Sequence, residues 1–218
     1  MSNTTVFLDV DGVLLDYADA FLRWLYRTNK TWDANMDEPI HVSPGWLSEY
    51  DLEKALSPWM APQLVRPAMK EFCGSDEWRN MRPLADIRLL EALRNCGIKL
   101  QILSSCWPEW QPDSLLRLTR HYGPAFTGCK FCPPQDKADF IHAYMYENDV
   151  QTGWFLEDSV DNLISASDCG PITRMLINQP YNLTDNRWNL PRYANTNDAL
   201  MWILKQEFSN VESHHHAG

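Results

Sequence analysis

The sequence predicts an α/β protein: a doubly wound, Rossmann-like parallel sheet with a small helical cap inserted after the first strand. Three observations carry this. Short apolar runs of strand length recur along the chain, amphipathic helical patterns lie between them, and one long segment near the N-terminus lacks any strand-like run. Strands alternating with helices imply right-handed crossovers and parallel pairing.

The first run, Val6 to Val10, reads as a buried strand. Residues 18–82 then break the alternation. They hold Trp24, Trp32, Trp46, Trp59 and Trp78 with several prolines, and read as a mostly helical insertion. An aromatic-stabilised minidomain with no ligand role fits the same composition. "IRLLEALRNCG" places Ile87, Leu90 and Leu93 at helical spacing, and Gly97 stops it. Ile98 to Leu103 is the second strand. "DSLLRLTRHYG" is a helix with Asp113 as its cap and Gly123 as its stop. "DKADFIHAYMYEN" opens at Asp136 and sets Phe140, Ile141 and Tyr144 on one face. Gly153 to Leu156 and Arg174 to Ile177 are two more strands, and "TNDALMWILKQEF" is a terminal amphipathic helix capped by Thr196 or Asn197. The expected division is therefore a core of residues 1–17 and 83–213, a cap of residues 18–82, and a tail of residues 214–218. The run His214 to His216 in that tail, native or a tag remnant, carries no functional weight.

The bulk numbers exclude some partners. A chain of 218 residues with 44% hydrophobic and 22% charged residues can bury a core. No apolar stretch approaches the roughly 20 residues that span a bilayer. "MSNTTVFLDV" has no basic region followed by an apolar one, so a signal peptide is not expected and the cytoplasm is the expected compartment. A net charge of −10 disfavours duplex nucleic acid, whose affinity rests on Lys and Arg neutralising phosphates. A small phosphate ester stays compatible, since a local metal and one Lys can override the global field. Among the six cysteines only Cys129 and Cys132 have metal-like spacing, and no second pair answers them, so reduced buried thiols are expected rather than zinc. The oligomeric state is left open, a homodimer included.

Four clusters carry chemistry. In "FLDVDGVLLD", Asp9 and Asp11 follow an apolar strand and face the same way, and Gly12 lets the chain bend. Such a turn at the carboxyl end of a parallel strand opens into the ligand crevice. Adjacent carboxylates repel unless a cation lies between them, and hard oxygen donors suit Mg²⁺. An ordinary Asp-Gly turn would give the same string. An EF-hand would not, because Val13 and Ala20 fall where oxygen ligands belong. In "FLEDSVDN" a second apolar run ends in Glu157 and Asp158, followed by Asp161 and Asn162; a helix cap accounts for it equally. In "QILSSC", Ser104 and Ser105 end a third run and can hold phosphate oxygens, or form a Ser-rich turn. Lys137 stands near a helix start, against the dipole, where an anion would explain it and a solvated surface would suffice.

Taken in order, these clusters resemble the four motifs of the haloacid dehalogenase-like phosphotransferase superfamily. Those motifs read DxDG, then hydrophobics ending in Thr or Ser, then Lys, then two acids followed by an acid or Asn. Matches span residues 9 to 162. The resemblance implies Asp9 as the nucleophile that forms an aspartyl-phosphate and Asp11 as general acid and then base. It implies Ser104, with Ser105 beside it, and Lys137 as phosphate contacts. It also implies Mg²⁺ held by Asp9, the backbone carbonyl of Asp11, and Asp158. A carboxylate nucleophile splits hydrolysis into two steps, and metal and Lys stabilise charge on the equatorial oxygens. Asp11 also argues against an ion-pumping ATPase, whose matching position is usually Thr.

Within the superfamily the chain is most similar to the 5'(3')-deoxyribonucleotidases, on "DVDGVLLDYADAFLRWL", "RPLADIRLLEALRNCG", "RHYGPAF" and "NQPYNLTDNRWNLPRY". That implies a phosphoric monoester hydrolase acting on nucleoside monophosphates, with Tyr17, Trp46 and Trp78 enclosing the base; each Trp could equally be core. Two departures stand against it: Glu157 where those enzymes favour Asp, and Trp107-Pro108 where a basic phosphate contact is expected in some relatives. Another small phosphomonoester such as a sugar phosphate, a phosphatase acting on nucleic-acid ends, and an inactive ligand-binding module are the alternatives.

Overall fold

The computed structural model describes residues 3–28, 52–57 and 60–215, with side chains described as far as residue 209. Six parallel strands form one sheet, in the order β3-β2-β1-β4-β5-β6. They are β1 (Thr4–Leu8), β2 (Lys99–Ser104), β3 (Gly128–Phe131), β4 (Thr152–Glu157), β5 (Ile172–Ile177) and β6 (Arg192–Tyr193). The chain starts at the centre, builds outward through β2 and β3, then returns to lay β4 on the other side of β1. The strand order thus reverses between β1 and β4, which is where a doubly wound sheet opens its ligand crevice.

Strand alternation sorts the core onto two faces. Val6 and Leu8 pack with Leu100, Ile102 and Leu156 on one side, together with Leu90 and Leu93 of α5 (Ile87–Asn95) and Leu200 and Ile203 of α9 (Thr196–His215). Phe7, Leu103, Phe155 and Leu176 pack on the other, against Ile141 and Met145 of α7 (Lys137–Glu147) and Leu163 of α8 (Val160–Ser165). Coverage on both faces is what an all-parallel sheet requires.

Helix starts follow local capping chemistry. The Asp86 carboxylate accepts from Arg88 N at 2.9 Å, and Ser159 Oγ from Asn162 N at 3.4 Å. Two caps differ from expectation. α6 (Gln111–Tyr122) begins two residues before Asp113, which lies in its first turn, because a 3₁₀ turn at Pro108–Trp110 feeds directly into the helix. At α9 the side-chain cap is Asn195, whose Oδ1 accepts from Asp198 N at 3.0 Å. That helix continues through His215.

After β1 come α1 (Tyr17–Arg27), α2 (Leu52–Ala55), α3 (Pro62–Phe72) and α4 (Asp76–Arg79), with no strand among the described residues of the insertion. The segments entering and leaving these helices run side by side: Asp16 N donates to Arg82 O at 3.0 Å and Leu84 N to Leu14 O at 2.8 Å. Phe21, Trp24 and Phe72 form an aromatic knot joining α1 to α3, with ring centroids 5.3 Å apart for Phe21–Phe72 and 5.8 Å for Trp24–Phe72.

Two strands carry no apolar-run signal. β3 is an edge strand whose residues are mostly half-buried, and a Cβ at Gly128 would meet the end of the Gln101 side chain, which would have to shift. β6 is two residues long.

Candidate active site

Register decides which side chains meet. Leu8 pairs with Leu156 on β4 and with Ile102 on β2. Asp9 N then donates to Leu156 O at 3.1 Å, so the first residue past β1 is anchored against the end of β4. Asp9 and the acids Glu157 and Asp158 are brought together in this way, across about 150 residues of chain.

Lys137 lies at the middle of the group. Its Nζ is 2.7 Å from Asp9 Oδ1 and 2.8 Å from Glu157 Oε2, with only 2% of the residue exposed. The start of α7 delivers it, so its position near a helix N-terminus is explained by carboxylates rather than solvent. Burial alone would lower its pKa, but Asp9 and Glu157 outweigh burial and hold the ammonium charged. Glu157 accepts on its other oxygen from Asp158 N at 3.2 Å and Ser159 N at 3.1 Å. With both oxygens engaged and the Lys137 charge beside it, its pKa stays below the usual value despite burial. Glu157 therefore holds Lys137 in place.

The other two acids are in the opposite state. Burial, then the Glu157 charge, push Asp9 up to about 8. Burial, Glu157 and Asp9 raise Asp158 well above the carboxylate range. One ammonium among three carboxylates leaves an excess of negative charge.

Oxygens of Asp9, Glu157 and Asp158 all lie within 4.8 Å of one another, the one such metal-capable group among the described residues. Asp158 Oδ1 and Asp11 Oδ1 are buried with no hydrogen-bond partner. Hard, clustered, under-satisfied oxygens fit a divalent cation such as Mg²⁺. Glu157 is already saturated by Lys137 and two amides, so Asp9 and Asp158 are the side chains free to hold it.

The surroundings fix Asp158. The Tyr181 hydroxyl donates to its Oδ2, and Asn182 Nδ2 donates to its backbone carbonyl at 2.8 Å. Gly12, at φ +81°, passes so close that a Cβ there would overlap Asp158 Oδ2 and lie 2.8 Å from the Tyr181 hydroxyl. Gln179 Nε2 donates to Gly12 O at 2.6 Å and pins the turn.

These residues open into a cavity of about 890 Å³ between the sheet and the inserted helices, within the size range of small-molecule sites. Its lining includes Asp9, Asp11, Lys137 and Asp158, with Ser104, Ser105, Tyr17 and Trp78. Ser104 is 2% exposed at the end of β2. The Ser105 hydroxyl is turned aside, donating to Cys132 O at 3.0 Å. Tyr17 packs edge-on against Phe72. Trp78 is 2% exposed, and the guanidinium of Arg117 covers its ring at 4.1 Å. Trp46 lies outside the described residues. All six cysteines are free thiols.

Sequence reasoning missed the roles of Tyr181, Asn182, Gln179 and Arg117. For Arg117 a signal existed: Ser114, Arg117, Leu118 and Tyr122 form the buried stripe of α6, while Leu115 and Leu116 are exposed. A charged residue on the core stripe of a helix is the signal that singles it out.

No protein-family model matches the chain, and no curated protein matches it significantly in sequence. Solved structures do match. A haloacid dehalogenase-like family hydrolase from Streptococcus pneumoniae superimposes with a TM-score of 0.65 at 16% identity, covering 93% of this chain and 97% of that one. A hydrolase of the same family from Deinococcus radiodurans R1, solved with bound phosphate and sodium, gives a TM-score of 0.67 at 14% identity over 94% and 96%. A protein from Lactobacillus delbrueckii subsp. bulgaricus, provisionally assigned as a phosphoglycolate phosphatase, gives 0.62 at 11% identity over 95% and 99%. The chain has the fold of the haloacid dehalogenase-like hydrolases.

Proposed function

We propose that this protein is a Mg²⁺-dependent phosphatase of small phosphomonoesters, a sugar phosphate or similar metabolite, acting through an aspartyl-phosphate. The observation that carries this is Lys137, buried and bridging Asp9 and Glu157 beside Asp158 at the strand-order reversal. Neighbours of the same fold include a hydrolase solved with phosphate and one assigned to phosphoglycolate.

Asp9 attacks phosphorus, forming an acyl phosphate as the ester oxygen departs. Asp11 gives that oxygen its proton, then takes one from the water that cleaves the acyl phosphate, so Asp9 is regenerated and inorganic phosphate leaves. Lys137 orients Asp9 and offsets charge on the phosphoryl oxygens, and Ser104 binds the group being transferred. Asp9, Asp158 and the Asp11 backbone carbonyl would hold Mg²⁺, which would supply charge neutralisation and Lewis acidity. Helices α1 to α4 are the proposed cap, residues 18–82, closing the cavity to bulk water.

A nucleoside monophosphate is the second reading, favoured by the aromatic lining at Tyr17 and Trp78. Against it, the Trp78 face is occupied by Arg117 rather than open to a base. Free thiols suit a reducing compartment, so the cytoplasm is the proposed location; no helix among the described residues is long and apolar enough to cross a membrane.

The test is phosphate release with Mg²⁺ from a panel of sugar phosphates, small acid phosphates, dNMPs and NMPs, repeated with Asp9→Asn. Release that Asp9→Asn abolishes is expected. No release from any ester by the wild-type protein refutes the reading, and turnover of nucleotides alone hands it to the second.

A further inference from the structure

Arg117 is a buried cation that the chemistry above does not use. It is 3% exposed and lines the cavity. Its two terminal nitrogens reach only neutral acceptors, Trp78 O at 3.2 Å and Ser114 Oγ at 3.3 Å. Charge-assisted bonds run shorter, about 2.7–2.9 Å. Its Nε is buried with no partner at all, and none of the ion pairs among the described residues includes it. Burying a charge with no hydrogen-bonded anion is costly, on the order of several kcal/mol, so packing on Trp78 is a poor reason to keep one. Burial lowers its pKa and the Asp11 charge opposes this; Asp11, the residue facing the leaving oxygen in the mechanism above, lines the same cavity.

We propose that Arg117 selects substrates carrying a second oxyanion, a carboxylate or a second phosphate, on the alcohol side of the ester. This rests on the phosphatase reading for the position of the leaving oxygen. A planar guanidinium fork matches either oxyanion. The other cation of the lining outside the Lys137 group, Arg66, is exposed and already paired with Glu53 at 3.0 Å, so it does not compete for this role.

The inference is read by binding, separately from turnover. In the Asp9→Asn background with Mg²⁺, calorimetry compares phosphoglycolate with ethyl phosphate, and a hexose 1,6-bisphosphate with the hexose 6-phosphate. One arm tests a carboxylate, the other a second phosphate. At least tenfold tighter binding of the doubly anionic ligand is expected in one arm, in line with a charge-assisted bond. Adding Arg117→Met should bring the ratio to within threefold, and Arg117→Lys, which keeps the charge but not the fork, should place it between. Equal binding within both pairs in the Asp9→Asn protein overturns the inference whatever the variants do. So does an undiminished ratio in either folded Arg117 variant, with Arg117→Lys deciding alone if Arg117→Met does not fold. A preference that depends on Arg117 in a protein that hydrolyses nothing would keep this inference and sink the phosphatase.

Discussion

Replacing Lys137 by Met keeps the length of the side chain and removes its ammonium. Asp9 and Glu157, 5% and 0% exposed, then face each other with no cation between them. Breaking a buried pair from one side costs roughly 3–5 kcal/mol, because the remaining charge has neither water nor partner. Asp9, pushed up to about 8 by burial and then by the Glu157 charge, is mostly protonated at neutral pH, which removes part of that cost. The expected loss is therefore about 3 kcal/mol, or roughly 6–12 °C in Tm for a domain of this size. A second substitution, Glu157→Gln, removes the stranded charge while its amide oxygen still accepts from Asp158 N and Ser159 N. The double variant should accordingly regain about 1–2 kcal/mol over Lys137→Met alone. Urea denaturation of the four proteins in the cycle measures this coupling directly. Turnover of the Lys137→Met protein should fall about 10²–10³-fold, the usual effect of losing one preorganised electrostatic group. Stability within 0.5 kcal/mol of wild type, or a double variant no more stable than the single, would refute the claim that these three side chains act as a unit.

Three more outcomes are expected. Gly12→Ala should lose about 1–2 kcal/mol to its positive φ and should displace Asp158; if its Mg²⁺-induced thermal shift matches wild type, the close approach at that turn is irrelevant. Mg²⁺ at about 100 times its Kd should raise wild-type stability by about 2.7 kcal/mol, EDTA should reverse this, and Asp158→Asn should abolish most of it; an equal shift in the variant places the cation elsewhere. Burial, then the Asp11 charge, push the Cys106 thiol up to about 12, leaving about one thiolate in 10⁴ at pH 8. Iodoacetamide followed by mass spectrometry should therefore label exposed Cys96 well before Cys106, and equal rates would contradict the burial of that thiol.

The residues that could be read from the sequence are those whose chemistry is local. Asp9 with Asp11, Ser104, and Glu157 with Asp158 each sit at the end of an apolar run, and a strand ending in acids is unusual enough to notice. The meeting of Asp9 and Glu157 at Lys137, with Asp11, Ser104 and Asp158 lining the same cavity, depends on strand order, which the apolar runs do not state, but which the alternation with helices constrains. β3 escaped because "GCKF" lies at the sheet edge, where one partner strand and partial exposure remove the need for a continuous apolar run. Tyr181 and Asn182 escaped because a 3₁₀ turn at Pro180–Asn182 has no periodicity to read; they matter only because β5 ends beside β4. Trp78 shows what an aromatic signal leaves open. An aromatic residue in the insertion suggests a stacking platform; in the fold Trp78 lines the cavity and its ring carries the Arg117 guanidinium at 4.1 Å.

A chain of net charge −10 must bind an anionic ester against its own field. Lys137 cannot do this alone, since Asp9 and Glu157 already claim it at 2.7 and 2.8 Å. Asp9 and Asp158 are held above their normal pKa by burial and by one another's neighbours, a state a cation would relieve. Arg117 is a buried cation of the same cavity whose hydrogen bonds reach only neutral acceptors. The cavity is thus incomplete at two places of opposite sign. A phosphoester brought in with a divalent ion answers the first, and only an ester with a second negative group answers the second. A monoanionic alcohol moiety would satisfy both at once, whereas an uncharged one would leave the guanidinium as poorly partnered as before, and this difference, rather than the shape of the aromatic walls, is what should separate substrates.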